Sequence, residues 1–212
     1  MNEPIEMGRL LRSSTAGCVV GCRVTQLGAP EFGGLLRIPL GGQDDQVYGL
    51  IYDIHIDDDG IVRQLVTADT VDAAVILDNR INRNVPVEIS VLFVGYRQAG
   101  KIFHLLPPRP PLSLDAIFPC SAEDVVQFTG SGRFGYFRHV LRSQEAPVGE
   151  LLAAHLRQAG QAQSAAGKPQ WAKDATQELI VLLRDDYPTL MSVLSALSDA
   201  GLGENAPAGG VQ

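Results

Sequence analysis

The stretch Gly95-Tyr-Arg-Gln-Ala-Gly-Lys101 reproduces the first seven positions of a phosphate-binding loop, G-x-x-x-x-G-K, behind a run of apolar residues. In such a loop the backbone amides cradle phosphate oxygens, the lysine reaches the outer phosphates, and a Ser or Thr hydroxyl at the eighth position holds Mg²⁺. Here the eighth position is Ile102, and Phe103-His-Leu-Leu-Pro-Pro108 is too short and too β-like to supply a helix N-terminus for the phosphates. These residues predict a strand, a tight turn through Gln98-Ala99-Gly100 and a return strand. The other Gly-Lys pair, Gly167-Lys168, has Ala162 where the first glycine belongs and Pro169 behind it.

Asp53, His55 and Asp57 are spaced two apart, so on a strand they share one face, the nearest approach in the chain to an acid/base or metal-dependent hydrolytic set. Consecutive Asp57-Asp58-Asp59 cannot all aim at one hard cation without further oxygens, and Asp59-Gly60 is itself a hairpin signal. A solvated turn accounts for them. Cys18 and Cys22 also fall on one strand face, but Cys120 and four scattered histidines are a poor supply of further zinc ligands. They are expected as small buried core residues, in a chain whose three cysteines build no disulfide framework. No G-x-S-x-G nucleophile elbow occurs. Arg133, Tyr136 and Arg138, with Phe134, Phe137, His139 and Arg142 among them, form the one basic and aromatic patch that could touch nucleic acid. A partly buried connector is the plainer use of these aromatics. No catalytic residue, cofactor or metal site is expected.

The elements that would carry these residues read as a small barrel. Residues 6–13 and 16–25 are extended, Leu35–Pro39 is a short strand between Gly-rich loops, and Val47–Asp57 alternates with a period of two. Ile61–Val66 is expected to return as the hairpin partner of that strand. A helix follows, capped by Thr67 or Asp69 and carrying Val71, Ala74 and Val75 inward, until Asn82-Arg83-Asn84 ends it. Val85–Tyr96 is the strongest strand, Lys101–Leu105 returns, and Pro107-Pro-Arg-Pro-Pro111 leads away as stiff polyproline. Ser121-Ala-Glu-Asp124 is a capping box opening a short helix through Phe128, and Pro147–Gln158 is a second helix with Leu151, Leu152, His155 and Leu156 as its stripe.

Residues 159–170 are low in complexity and predict a flexible linker. Beyond it, residues 171–200 predict a helical hairpin whose apolar positions Trp171, Leu179, Leu182, Leu183, Leu190, Met191 and Leu194 fold back on the barrel or bind a partner. Residues 201–212 are expected to be a disordered tail. The expected organisation is α+β: a six-stranded barrel domain over 1–130, a connector with one helix over 131–158, the linker, and the hairpin.

The order of Glu6-Met-Gly-Arg-Leu-Leu-Arg-Ser-Ser-Thr15, Val47-Tyr-Gly-Leu-Ile-Tyr-Asp-Ile54 and Val91-Leu-Phe-Val-Gly-Tyr96, with Pro107-Pro-Arg-Pro110 and Ser121-Ala-Glu-Asp124, resembles the HAS-barrel. That is the N-terminal six-stranded barrel of HerA-type DNA-translocating ATPases and of F-type ATP synthase subunits. The resemblance covers about residues 5 to 130 and rests on glycine placement and strand spacing. It implies an assembly module, since in those families the barrel forms the collar of a ring and a separate RecA-like core hydrolyses ATP. This sequence has no intact Walker A, no Walker B-type strand and little chain left after the barrel, so no catalytic residue carries over. The resemblance implies a non-enzymatic protein, homo- or hetero-oligomeric, that binds a HerA-like ATPase or its nuclease through barrel edges and the C-terminal helices. Two alternatives stay open: a metal-dependent hydrolase or nuclease using Asp53, His55 and Asp57, and a small nucleic-acid-binding barrel.

Composition bounds these readings. The chain has 212 residues, a formal charge of −7, 45% hydrophobic residues, 22 Gly and 13 Pro, which describes a turn-rich globular protein too short for a complete motor. An acidic balance opposes wrapping of nucleic acid by a basic face, so any such contact is local or indirect. No apolar run approaches the roughly 18 residues that span a bilayer, and the acidic start Met1–Gly8 lacks the basic region of a secretory signal. A cytoplasmic protein without membrane contact is expected.

Overall fold

The computed structural model describes residues 5–23, 31–41, 44–57, 60–68, 70–81 and 86–202, in two compact units, Met1–Pro119 and Cys120–Gln212. The strands of the first unit are β1 (Gly8–Ser13), β2 (Gly17–Cys22), β3 (Leu35–Pro39), β4 (Gln46–His55), β5 (Val87–Gln98), β6 (Lys101–Phe103) and β7 (Ala116–Pro119). Hydrogen bonding runs β2-β1-β7-β3-β4-β5 and returns from β5 to β2, so six antiparallel strands close into a barrel, with β6 a hairpin return on β5.

Alternation drives the closure. Cys18, Val20 and Cys22 of β2 point inward with Leu10, Ile38, Val47, Ile89 and Phe93, and side chains fill the barrel. Register shifts at Leu10/Arg12, Tyr48/Gly49 and Ile51/Asp53 bend the strands. Two glycines allow the tight radius: a Cβ on Gly17 would overlap the Val91 carbonyl oxygen, and one on Gly49 would overlap the Val91 side chain. Each of the six strands has a neighbour on both sides, so among the described residues the expected docking through barrel edges finds a free strand side at the short β6 alone.

Between β4 and β5 the chain forms α1 (Ile61–Thr67) and α2 (Ala73–Ile81). The expected hairpin partner at Ile61–Val66 is therefore a helix. β3 and β5 already occupy both sides of β4, and Gly60 at φ 80 turns the chain into α1. Asp72 rather than Thr67 starts α2, its Oδ1 accepting from the Ala74 amide at 2.9 Å, and Thr67 ends α1. Ala74 and Val75 are exposed rather than inward. β7, a strand absent from the sequence reading, joins β1 to β3 and completes the ring. The expectations placed on residues 24–30, 42, 58–59, 69, 82–85 and 203–212 lie outside the described residues.

The second unit holds α3 (Ala122–Gly130), α4 (Phe137–Leu141), α5 (Val148–Ala165), α6 (Trp171–Leu182) and α7 (Tyr187–Asp199). The Ser121–Asp124 capping box forms in both directions, and α3 packs on α5, so it belongs to this unit and the barrel unit ends before residue 130. α5 is the hub. Leu151, Leu152, His155 and Leu156 are buried as expected, but the helix runs on to Ala165 through most of the supposed linker. Ala159 and Gln163 continue the four-residue spacing from His155 and are fully buried, so this stretch of small and amide side chains is packed helix. α6 and α7 are helices where expected, yet each packs on α5 instead of forming a hairpin with the other. No helix among the described residues is long and apolar enough to cross a membrane.

Candidate functional site

The phosphate-loop look-alike is a hairpin. β5 runs through Gln98, Ala99 and Gly100 turn at φ 49 and 75, and β6 starts at Lys101. The Ala99 amide that a phosphate would need donates to Asp45 Oδ1 at 3.0 Å.

Asp53, His55 and Asp57 lie on the outside of the barrel where β4 leaves its buried half. His55 Nε2 and Asp57 Oδ1 are 3.0 Å apart with side chains 60% and 54% exposed, and Asp53 stands opposite Ser90 in the ladder. No group of three or more His, Cys, Asp or Glu is placed to hold a metal ion among the described residues. Cys18 and Cys22 are core residues, as expected: burial pushes the Cys18 thiol up to about 12 and raises that of Cys22, which leaves both as unreactive thiols.

The basic and aromatic patch does not present Tyr136. Tyr136 is fully buried, its ring edge-on to Phe137 at 4.8 Å, and its hydroxyl lies 3.1 Å from His155 Nε2. Burial raises its pKa well above the usual phenol range. A tyrosine held in this way has no face on which a base could stack, which corrects its assignment as a nucleic-acid contact. Arg133 is exposed and Arg138 half-buried.

The seven apolar residues proposed for partner binding divide. Trp171, Leu179 and Leu183 lie in the unit's own core, with Trp171 Nε1 donating to the Thr129 carbonyl at 3.2 Å, so these three are corrected to structural roles. Leu182 and Met191 are exposed, and Leu190 and Leu194 half-buried.

Sequence reasoning took Pro107–Pro111 as polyproline leading away from the sheet and passed over the leucines around it, whereas the segment between β6 and β7 turns back to β1. Pro107 and Pro111 are buried and pin it, while Leu105, Leu106, Leu112 and Leu114 are exposed, the last two at 72% and 67%. The segment then runs beside β1: Leu114 N donates to Leu10 O at 2.9 Å and Arg9 Nη1 to Leu114 O at 3.1 Å. Leu112 N donates to Asp115 Oδ2 at 2.8 Å. These bonds hold Leu114 at φ 73, a left-handed conformation costly for a branched side chain. Leu11, set outward at the β1 irregularity, adds a further exposed leucine across Gly21. Leucines concentrated around a Pro-rich run that can form neither helix nor strand were the available signal.

Fold and site together define a small closed β-barrel joined to a helical unit, with apolar side chains displayed on a pinned loop. No known family model and no curated protein matches this sequence.

Proposed function

We propose that the chain is a non-catalytic assembly protein built on a HAS-type barrel, an accessory of a HerA-like DNA-processing ATPase or of its nuclease partner. The observation that carries this reading is the loop of outward leucines between β6 and β7, fixed by Pro107, Pro111 and the hydrogen bonds to β1. Several large exposed apolar side chains on one ordered loop favour a protein partner over solvent. The hydrogen bonds to Leu10 and Arg9 that hold Leu114 at a positive φ also set its side chain outward, as an apolar anchor of the kind that contributes to binding energy. The association with HerA-type machinery follows from the resemblance of residues 5 to 130, and the acidic net charge suits a protein-facing role.

The test mixes the purified chain with the HerA-type ATPase of the same cell and follows co-elution by size exclusion. Co-elution is expected for the wild type, with loss of binding for Leu112→Asp and Leu114→Asp, both too exposed to disturb the fold. No association of the wild type, or equal binding by both variants, refutes the reading.

A further inference from the structure

We propose that Arg109, at the tip of the loop between β6 and β7, pairs with a carboxylate set in an apolar groove of the protein partner, so that the surface receiving this loop is an acidic one. The pairing rests on the proposed role of the loop in partner binding and specifies what the loop meets there.

Proline geometry builds the tip. Pro107 and Pro111 are buried, Pro108, Arg109 and Pro110 between them are exposed, and the chain bends at Pro108 and Arg109. Pro108 fixes its own φ, and Pro110 confines Arg109 to extended backbone. The tip is therefore stiff before a partner arrives, and little backbone freedom is lost on binding. Arg109 is set apart from Arg9, Arg12, Arg37 and Arg97 by what surrounds it. Arg9 pairs with Glu6 at 2.9 Å and Arg12 with Glu88 at 3.6 Å. Arg37 lies over the Phe118 ring at 5.3 Å, and Arg97 donates to the Tyr48 hydroxyl at 2.7 Å. Arg109 makes no hydrogen bond or ion pair among the described residues.

The occupant follows from charge complementarity. From Gln98 to Leu114 the chain carries Lys101 and Arg109 and no Asp or Glu, although it has 24 acidic side chains in all. The first acid beyond, Asp115, is engaged by Leu112 N at 2.8 Å. A planar guanidinium flanked by exposed Leu106 and Leu112 calls for a surface that offers a carboxylate and apolar walls together. The leucines exclude water around the pair and so strengthen it. Other occupants answer only part of this. A phosphate backbone would satisfy Arg109 and leave the leucines in water. A second copy meeting the same face about a two-fold axis brings another guanidinium rather than a carboxylate. An anionic bilayer repels a chain at −7.

Titration calorimetry of the full chain with the HerA-type ATPase of the same cell tests the pairing. Arg109→Glu is expected to weaken binding at least about thirtyfold, and Arg109→Lys by less, with the thermal midpoint of the free chain unchanged in both. A zero-length carbodiimide gives a direct readout. With the ATPase present, the Arg109→Lys variant is expected to form an amide between its introduced amine and an Asp or Glu of the ATPase, located by mass spectrometry. Wild-type affinity in Arg109→Glu, or a complex of Arg109→Lys with no link at the introduced amine, overturns the pairing and leaves the loop as a docking element. A wild type that does not bind the ATPase, or that binds phosphatidylserine vesicles through Arg109 instead, overturns the pairing and the proposed function together.

Discussion

Gln163 tells a packed helix from a linker by a measurement in solution. Its side chain is fully buried, with Nε2 donating to the Val126 carbonyl at 3.0 Å and to Thr129 Oγ1 at 2.8 Å. Thr129 Oγ1 donates to Val125 O at 2.7 Å, so it can only accept from Gln163. Gln163 Oε1 is buried without a hydrogen-bond partner among the described residues. Gln163→Glu therefore turns a donor into an anion facing two acceptors, at a cost of about 3–5 kcal/mol at neutral pH. With a urea slope of about 2 kcal/mol per M, the midpoint falls by about 2 M. Gln163→Met loses two hydrogen bonds worth about 1 kcal/mol each but also removes the buried unpaired oxygen, so its net change stays within about 1 kcal/mol. Burial raises the folded-state pKa of the introduced Glu. Its neutral form is tolerated, so the variant is most stable in acid and loses stability as pH rises from the unfolded to the folded value. The assay is urea unfolding followed by Trp171, the single tryptophan, which lies in the same unit. Wild-type stability in Gln163→Glu, or equal loss in the Glu and Met variants, refutes the packing.

Other positions are equally open to test. Burial raises the Cys18 thiol to about 12 from 9.0. The unfolded chain therefore loses this proton first, and the barrel is expected to lose up to about 1.4 kcal/mol per pH unit between 9 and 12, a slope that Cys18→Ala flattens in alkaline urea titrations. The same burial predicts that half-buried Cys120 reacts first with a thiol-specific reagent and that Cys18 and Cys22 react only on unfolding, as read by mass spectrometry. Gly17→Ala drives a methyl into the Val91 carbonyl at the seam that closes the barrel, and about 2 kcal/mol of barrel stability is expected to be lost in thermal unfolding. Tyr136→Phe removes the hydrogen bond to His155 and is expected to cost about 1–2 kcal/mol by urea unfolding.

Much of the barrel was legible because its strands obey simple alternation. β2 and β5 fall where their periodicity places them, with Cys18, Cys22, Val87, Ile89, Val91 and Phe93 inward. β7 was not legible. Four residues ending in Pro119 carry too little pattern, and their strand character comes from β1 and β3 on either side. Ile61–Val66 misled because β-branched residues next to an Asp-Gly turn look like a hairpin, whereas the ring left β4 no free side. The 159–165 segment misled in the opposite way. Ala159 and Gln163 are a small and a polar residue, and only the spacing continued from His155 marks them as core. At the surface, helical periodicity found the α6 and α7 apolar positions but could not separate Trp171, Leu179 and Leu183, which the unit buries itself, from Leu182 and Met191, which it leaves outside. Tyr136 was ambiguous for the same reason, since a buried and a base-stacking tyrosine have the same neighbours in sequence.

The most direct measurement of the central claim is the native mass of the complex that this chain forms at its natural abundance, purified gently from the source cell with each component identified. A discrete assembly containing this chain and a HerA-type ATPase or nuclease in fixed proportion, lost with Leu114→Asp, is the predicted result. A free chain with no stoichiometric partner contradicts it.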